Sequence, residues 1–352
     1  MTYESLKPLI YKLDPENAHA LAEFSMRTLD CIFPGGLGFF AKDCVINDEI
    51  LNQEIFNLNF YNPVGLAGGF DKNATMIRPL SALGFGFLEY GTFTPKPQNG
   101  NEKPRLFRLV KQESIQNAMG FNNKGKDAIA KEVKKIYPFS IPLVANIGKN
   151  KITPNEEAIN DYIILLKEFK DLCDLFVVNI SSPNTKNLRD LQSEEFVSTL
   201  FNQAKEITNK PVILKIAPDM NIDSAISLCK SAVSAKADGI IMANTSIDYS
   251  LIDNARTFGG ISGRLITQKS ATFFKEVAKE IYQDTILIAS GGIDSAELAY
   301  ERIKNGASLV QIYTAMIFKG PSIVKNINQG LIELLKQDGF NHISQAIGVN
   351  FK

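Results

Sequence analysis

The chain is short of most groups that announce a familiar chemistry. Of its 352 residues only two are histidines, His19 and His342, and neither follows an apolar strand-like run. A histidine base, a Ser-His-Asp hydrolase and a histidine-rich metal site are therefore disfavoured, and no metal is expected. Cysteine is nearly as scarce: Cys31, Cys44, Cys173 and Cys229 stand far apart and form no CxxC pair. That argues against a disulfide framework or zinc site and for reduced thiols, all four packed as small buried hydrophobes. Charge of either sign is not in excess, with 38 Lys plus Arg against 38 Asp plus Glu and no concentrated basic tract, so nothing draws nucleic acid. Long hydrophobic runs are missing too. No uncharged apolar stretch of roughly 18 residues occurs, and the start lacks the basic and apolar regions of a signal peptide. The expectation is a chain neither secreted nor membrane-spanning.

What the sequence does hold is repetition. From Asn62 onward short apolar runs alternate with longer amphipathic ones, the pattern of repeated βα units around a parallel sheet. Eight strands are expected, at 63–67, 86–92, 142–147, 175–180, 211–216, 239–243, 285–289 and 309–313, and eight is the strand number of a (β/α)8 TIM barrel. Helical spacing fills the intervals, at 156–172, 194–207, 223–234, 268–282 and 295–305. The fold class is α/β, with the barrel over residues 46–352. A doubly wound sheet is the alternative, but it does not set eight strand ends around one ring. Two connections, 93–120 and 245–265, are long enough for a lid or for added strands over a site.

Polar residues gather just behind those strands. Gly68-Gly69-Phe70-Asp71-Lys72, Thr92, Asn146, Asn179, Lys215, Asn244-Thr245, Gly291-Gly292 and Tyr313-Thr314 would share the carboxyl face, where barrels build active sites. The most informative segment is Phe176 to Thr185, an apolar strand running directly into Asn179, Ser181, Ser182, Asn184 and Thr185. Buried amides and hydroxyls need partners, and a polar ligand would supply them. Asn117, Asn122, Asn146, Asn179, Asn184 and Asn244 suit a planar ring bearing alternating C=O and N–H groups, although each alone is also an ordinary turn residue.

Two lysines and a set of glycines complete the inventory. Lys215, partly desolvated at a strand end, wants an anion: a Schiff-base amine, a phosphate ligand and a counter-charge for a reduced flavin all fit, against a lysine that snorkels to solvent. Lys72 is a second candidate cation or a solvated first-turn lysine. Gly291-Gly292, Tyr313-Thr314 and Ser262-Gly263-Arg264 converge on the barrel sector that holds phosphate, though glycine in a tight turn needs no ligand.

Residues 1–45 read as a two-helix extension, Tyr3 to Leu13 and then, with Asp14 as N-cap and Pro15 at the first helical position, a helix to about Leu29. An apolar loop, Ile32 to Phe40, follows. The apolar residues Leu6, Leu9, Ile10, Leu13, Leu21 and Leu29 would form a stripe that packs on the barrel or lies on a membrane surface.

From His19 to about Gly330 the chain resembles the quinone-dependent (class 2) dihydroorotate dehydrogenases. The resemblance rests on Leu13-Asp14-Pro15-Glu16-Asn17-Ala18-His19, Gly69-Phe70-Asp71-Lys72, Gly91-Thr92, Lys103 to Arg108, Asn117-Ala118-Met119-Gly120-Phe121-Asn122-Asn123, Asn146 to Asn150, Asn179 to Thr185, Lys215 to Asp219 and Gly291 to Asp294. It implies one FMN per chain and oxidation of (S)-dihydroorotate to orotate in pyrimidine biosynthesis, with hydride passing from C6 to flavin N5. Ser182 would take the C5 proton; class 1 relatives use cysteine in that loop, and none of the four cysteines falls there. A serine base must pass its own proton on, and Thr185 with a water behind Phe121 is the expected route.

By the same match Lys72, Asn117, Ala118, Met119, Gly120 and Phe121 would surround the substrate together with Asn179, Asn184, Asn244 and Thr245. Gly68, Gly69, Phe70, Asp71, Lys72, Thr92, Asn146, Asn179, Lys215 and Ala243 would hold the flavin, with phosphate on Gly263, Gly292, Tyr313 and Thr314. His19, Arg108 and Tyr313 would line a tunnel for membrane quinone. The extension and Phe39-Phe40 would touch the bilayer, making the protein a monomer held peripherally on the cytoplasmic side of the cell membrane. The chain departs from the family pattern at Gly68-Gly69-Phe70, where Ala-Gly-Leu is usual, and at Ala243, where threonine is common. A reading of another class, a barrel lyase or isomerase with Lys215 as Schiff-base amine, would be colourless.

Overall fold

A computed structural model describes residues 3–32, 36–253 and 255–352, without the side chains of Phe39 and Phe40. Eight parallel strands close into a barrel: Val64–Asp71, Phe87–Phe93, Leu143–Ile147, Leu175–Asn179, Val212–Ile216, Gly239–Met242, Ile286–Ser290 and Leu309–Ile312. The last strand pairs with the first, Val310 opposite Val64, which completes the ring. All eight expected strands are present. Their residues are buried nearly throughout, which is why they read as continuous apolar runs: helices cover the outer face and side chains fill the inner one.

Parity along each strand divides two environments. Val212, Leu214 and Ile216 face the helices within the large outer core, whereas Ile213 belongs to a smaller inner cluster with Phe87, Val144, Val177, Ile288 and Leu309. A hairpin before the barrel, Gln53–Ile55 paired with Leu58–Phe60, plugs this end. Its turn residues Phe56 and Asn57 both have φ near +60° (58° and 57°), as a two-residue primed turn requires. Ile55 and Phe60 join the inner cluster, and the Phe60 and Phe87 rings meet edge to face at 5.6 Å. The barrel is thus sealed at its amino end, and only the carboxyl end remains for a site.

Both long connections carry added strands. Leu106–Leu109, Ser114–Asn117 and Gly260–Gly263 form a three-stranded antiparallel sheet over the barrel mouth. Several barrel helices start on side-chain caps: Ser193 accepts from Phe196 N–H, Asn221 from Ser224 N–H and Ser295 from Leu298 N–H.

The extension differs in part from expectation. Helices run over Tyr3–Ile10 and Pro15–Ile32, and Asp14 Oδ1 accepts from Glu16 N–H (3.0 Å) and Asn17 N–H (3.2 Å), as an N-cap should. The expected apolar loop is instead largely a third helix, Gly36–Cys44. Gly36 and Gly38 fall in its first turn, where backbone N–H groups have no helical partner anyway, and Ala41 and Lys42 favour propagation. The expected bilayer contact of Phe39-Phe40 lies outside the described side chains. Cysteine placement also needs correction: Cys173 and Cys229 are buried, but Cys31 is exposed and Cys44 half-buried, because both sit on this extension rather than between strands and helices.

Candidate active site

Directly above the inner apolar cluster, the same strand parity places a polar layer. Two residues beyond Phe87, Val144, Ile213 and Leu309 come Glu89, Asn146, Lys215 and Gln311, all nearly inaccessible to solvent. Lys215 Nζ lies 3.2 Å from Glu89 Oε1 and 3.5 Å from Gln311 Oε1. Asn146 Nδ2 also donates to Glu89 Oε1, and Gln311 Nε2 donates to Oε2. The anion that Lys215 needs is therefore supplied by the protein. Glu89 and Gln311 are not among the expected site residues, yet a charged residue at inward parity in an otherwise apolar strand is the signal that points to Glu89.

The next layer is the rim. Asn179 Nδ2 donates to Thr92 Oγ1 at 2.8 Å, and Asn244 Nδ2 donates to Ser181 Oγ at 2.9 Å. Asn184 Nδ2 donates to Asn117 Oδ1 at 3.0 Å, which joins the loop after the fourth strand to the overlying sheet. Ser182 is buried, and its Oγ accepts from Asn184 N–H at 3.3 Å. Phe121 adopts φ +53°, a left-handed backbone that costs a bulky residue about 1–3 kcal/mol and is held by Gln98 and Asn123 side-chain amides donating to its carbonyl. Among the described residues, four polar atoms here are buried without a protein partner: Asn122 Oδ1, Asn184 Oδ1, Thr185 Oγ1 and Thr245 Oγ1. Each such orphan costs about 1–3 kcal/mol unless a ligand or water satisfies it.

Rim and polar layer enclose one cavity of about 570 Å³, which reaches from Lys215 out to the first two helices of the extension. Ser182, Asn117, Met119, Gly120, Phe121, Asn179, Asn184, Asn244 and Thr245 line it, as do Gly68, Gly69, Thr92 and Ala243. Gly263, Gly292, Tyr313 and Thr314 form another wall. Gly292 has φ +70° and a Cβ there would come within 2.4 Å of Thr267 Cα, so this glycine is required by packing alone. Gly69, φ +101°, differs: its nearest neighbour to a Cβ is Tyr313 Cε2 at 3.6 Å, leaving the backbone open to a ligand. Three expected residues do not line the cavity. Asn146 sits behind it on Glu89, Thr185 is buried beside it, and Ala118 contributes a carbonyl to Asn101. Asp71 does line it, but its carboxylate is committed to the N–H groups of Thr75 (2.9 Å) and Met76 (2.8 Å).

Lys72 Nζ donates to the Gly69 carbonyl at 2.8 Å. Its side chain faces the cavity and is otherwise enclosed by protein, and burial, followed by the nearby Arg105 charge, pushes its pKa down to about 8. At the mouth, His19 packs edge to face on Phe70 (5.0 Å), and Phe70 on Tyr313 (5.5 Å), an aromatic row leading inward from the second helix. Burial, then Lys72, lowers the His19 pKa to about 4. Arg108 Nη1 donates to the Leu13 carbonyl at 2.8 Å and its guanidinium lies 5.1 Å from the Tyr11 ring centroid, so it ties the extension to the added sheet. Arg105 forms a two-pronged pair with Glu16 (2.9 and 3.0 Å) for the same purpose.

A family model described as dihydroorotate dehydrogenase matches residues 50–335. The chain belongs to the dihydroorotate dehydrogenase family. The dihydroorotate dehydrogenase (quinone) of a Nitratiruptor species is 56% identical over 352 residues, the whole of both chains. That of Sulfurimonas denitrificans is 53% identical, again over the full length of both. Among solved structures, DHODH from Eimeria tenella in complex with ferulenol superposes with a TM-score of 0.85 at 33% identity, covering 98% of this chain and 99% of that one. As a dihydroorotate dehydrogenase family member the protein is an oxidoreductase, and the cavity above the Glu89–Lys215 layer is its candidate active site. Among the described residues no helix is long and apolar enough to cross a membrane.

Proposed function

We propose that the protein oxidises (S)-dihydroorotate to orotate for pyrimidine biosynthesis, using one FMN per chain and membrane quinone as acceptor. The observation that carries this reading is the single cavity that joins the Ser182 loop, the Lys215 layer and the mouth at the extension. A lyase needs a free amine at Lys215, whereas this ammonium is held by Glu89.

The residues fit a flavin and a small planar acid. Gly68, Gly69 and Ala243 present backbone to the cavity, Thr92 and Lys215 present donors at its base, and Asn179 lines it beside them; these would hold the ring system. Gly263, Gly292, Tyr313 and Thr314 would take the phosphate, with Ser262 Oγ 2.9 Å from Thr314 Oγ1 between them. Bound there, FMN would supply a two-electron acceptor for the hydride from C6 of dihydroorotate and a donor that passes those electrons to quinone. Asn117, Asn184, Asn244 and Thr245 orient the substrate ring, the orphaned Asn184 Oδ1 and Thr245 Oγ1 supplying acceptors for its N–H groups. Lys72 holds the substrate carboxylate.

Ser182 Oγ removes the C5 proton. A hydroxyl is a weak base, so it must lose its own proton as it acts, and the unpartnered Thr185 Oγ1 with a water behind Phe121 is the route we assign. Water is otherwise kept out by the overlying sheet and by Met119 to Phe121. Quinone enters between the first two helices, along His19, Phe70, Arg108 and Tyr313. Leu9, Leu21, Phe24 and Ile32 are exposed on the extension, an apolar surface suited to the cytoplasmic face of a bilayer. The barrel acts as a monomer.

The purified protein should show flavin absorbance and oxidise dihydroorotate with quinone far faster than with fumarate or NAD. A colourless protein, or one preferring NAD, would overturn the reading.

A further inference from the structure

We infer that Glu89 is a positioning residue that neutralises Lys215 and thereby keeps the reduction potential of the bound flavin low. This rests on the reading of the cavity as a flavin site. Glu89 does not line the cavity; Lys215 and Gln311 do. The carboxylate therefore acts from behind, through the ammonium.

The arrangement is built around that carboxylate. It lies on the second barrel strand, 1% exposed, and collects donors from three others: Asn146 and Lys215 on Oε1 and Gln311 on Oε2. A buried carboxylate is tolerated only when its oxygens are filled in this way. Gln311 serves both partners, donating to Glu89 through Nε2 and accepting from Lys215 through Oε1 at 3.5 Å. Of the three ammonium donors two are thus taken, leaving one for the cavity. The first strand makes room: a Cβ on Gly68 would fall 2.4 Å from Glu89 Oε1 and 2.6 Å from Asn146 Nδ2. The bare backbone at Gly68 leaves room for the Glu89 carboxylate beside Asn146 and Lys215.

The consequence is electrostatic. Reduction adds negative charge to the flavin, so a lone cation beneath it would favour the reduced form, whereas a cation paired at 3.2 Å offers a dipole of much shorter reach. A flavin that must give its electrons to quinone gains from the paired arrangement.

The test is the two-electron midpoint potential of FMN-loaded protein, with the dissociation constant for sulfite as a second reading of positive charge at the ring. Glu89→Gln should shift the equilibrium about tenfold toward reduced flavin, about 30 mV for two electrons, and tighten sulfite binding. Glu89→Asp, which keeps the charge, should restore most of the wild-type value. Gly68→Ala, whose φ lies outside the left-handed region, should fold and shift the potential in the same direction by less, because its methyl displaces the carboxylate. If Glu89→Gln holds flavin with lower thermal stability but an unmoved potential, Glu89 is structural only and the inference fails. If Glu89→Gln does not retain flavin, Gly68→Ala decides, and an unmoved potential there is equally fatal. Absence of flavin from the wild type would instead defeat the underlying reading.

Discussion

Arg189 Nε donates to the Ser181 carbonyl at 2.9 Å, fixing the peptide that leads into Ser182. The same guanidinium donates to the Thr245 carbonyl (2.8 Å) and pairs with Asp219 Oδ2 (2.9 Å), so one side chain locks together the loops after the fourth, fifth and sixth strands. Asp219 is anchored in turn by Lys269 (3.0 Å) and the Ser246 hydroxyl (2.5 Å), and these hydrogen bonds outweigh its burial and hold its pKa below the ordinary carboxylate value. Arg189 lies on a short turn of 3-10 helix, Leu188–Leu191, and does not itself line the cavity.

Replacing Arg189 by Leu should lower kcat about ten- to hundred-fold, since a displacement near 1 Å at a reacting group costs rate on that scale. Three acceptors lose their donor, so stability should fall by about 1–3 kcal/mol. Steady-state kinetics and thermal melting check both, and Arg189→Lys should rescue stability better than rate because it cannot span three acceptors at once.

Lys72 sets a pH dependence. With its pKa lowered to about 8 by burial, it is charged at pH 7 and loses its charge as pH rises past 8, so KM for dihydroorotate should rise above pH 8 while kcat changes less. Lys72→Met should raise KM at pH 7 by about ten- to hundred-fold, the loss of a charge-assisted hydrogen bond, and abolish the alkaline rise. The linkage has the opposite sign for stability: because the folded pKa lies below the unfolded value near 10.5, the ligand-free fold gains stability as pH climbs from about 8 toward 10.5.

His19, lowered to about 4 by burial, is neutral throughout the physiological range. Reoxidation by quinone should therefore show no step near pH 6.5, and an NMR titration should find the imidazole uncharged at pH 5.5. A step that vanishes in His19→Phe would contradict this.

The exposed apolar residues of the extension predict membrane contact without a stability cost. Changing Leu21, Phe24 and Ile32 to Ser should reduce binding to anionic lipid vesicles at least about tenfold, each side chain contributing about 1–2 kcal/mol when it enters lipid. Melting temperature and flavin content should stay unchanged, since all three are more than half exposed at 52%, 67% and 76%.

Strands and their polar ends are legible in the sequence because a buried parallel strand is an uninterrupted apolar run and its terminus is where polarity returns. Asn179 and Ser182 stand at such a transition, and Lys215 is noticed because it is one residue short of its strand's end. Glu89 and Gln311 are not legible in that way: each is a single polar residue inside an apolar run, and only inward parity distinguishes it. Arg189 is hidden for a different reason, since it acts across three loops far apart in sequence and no local period records that. The third helix, Gly36–Cys44, reads as a loop because two glycines mimic one unless they fall in the first turn.

If Ser182 removes the substrate proton in a flavin-containing site, its loss must slow flavin reduction and leave flavin binding intact. The measurement is anaerobic stopped-flow bleaching of the flavin by dihydroorotate, compared for wild type and Ser182→Ala between pH 6 and 10. We predict that the variant retains a normal flavin spectrum but bleaches about 10²- to 10⁴-fold more slowly. Bleaching at a near wild-type rate across that range would contradict the claim.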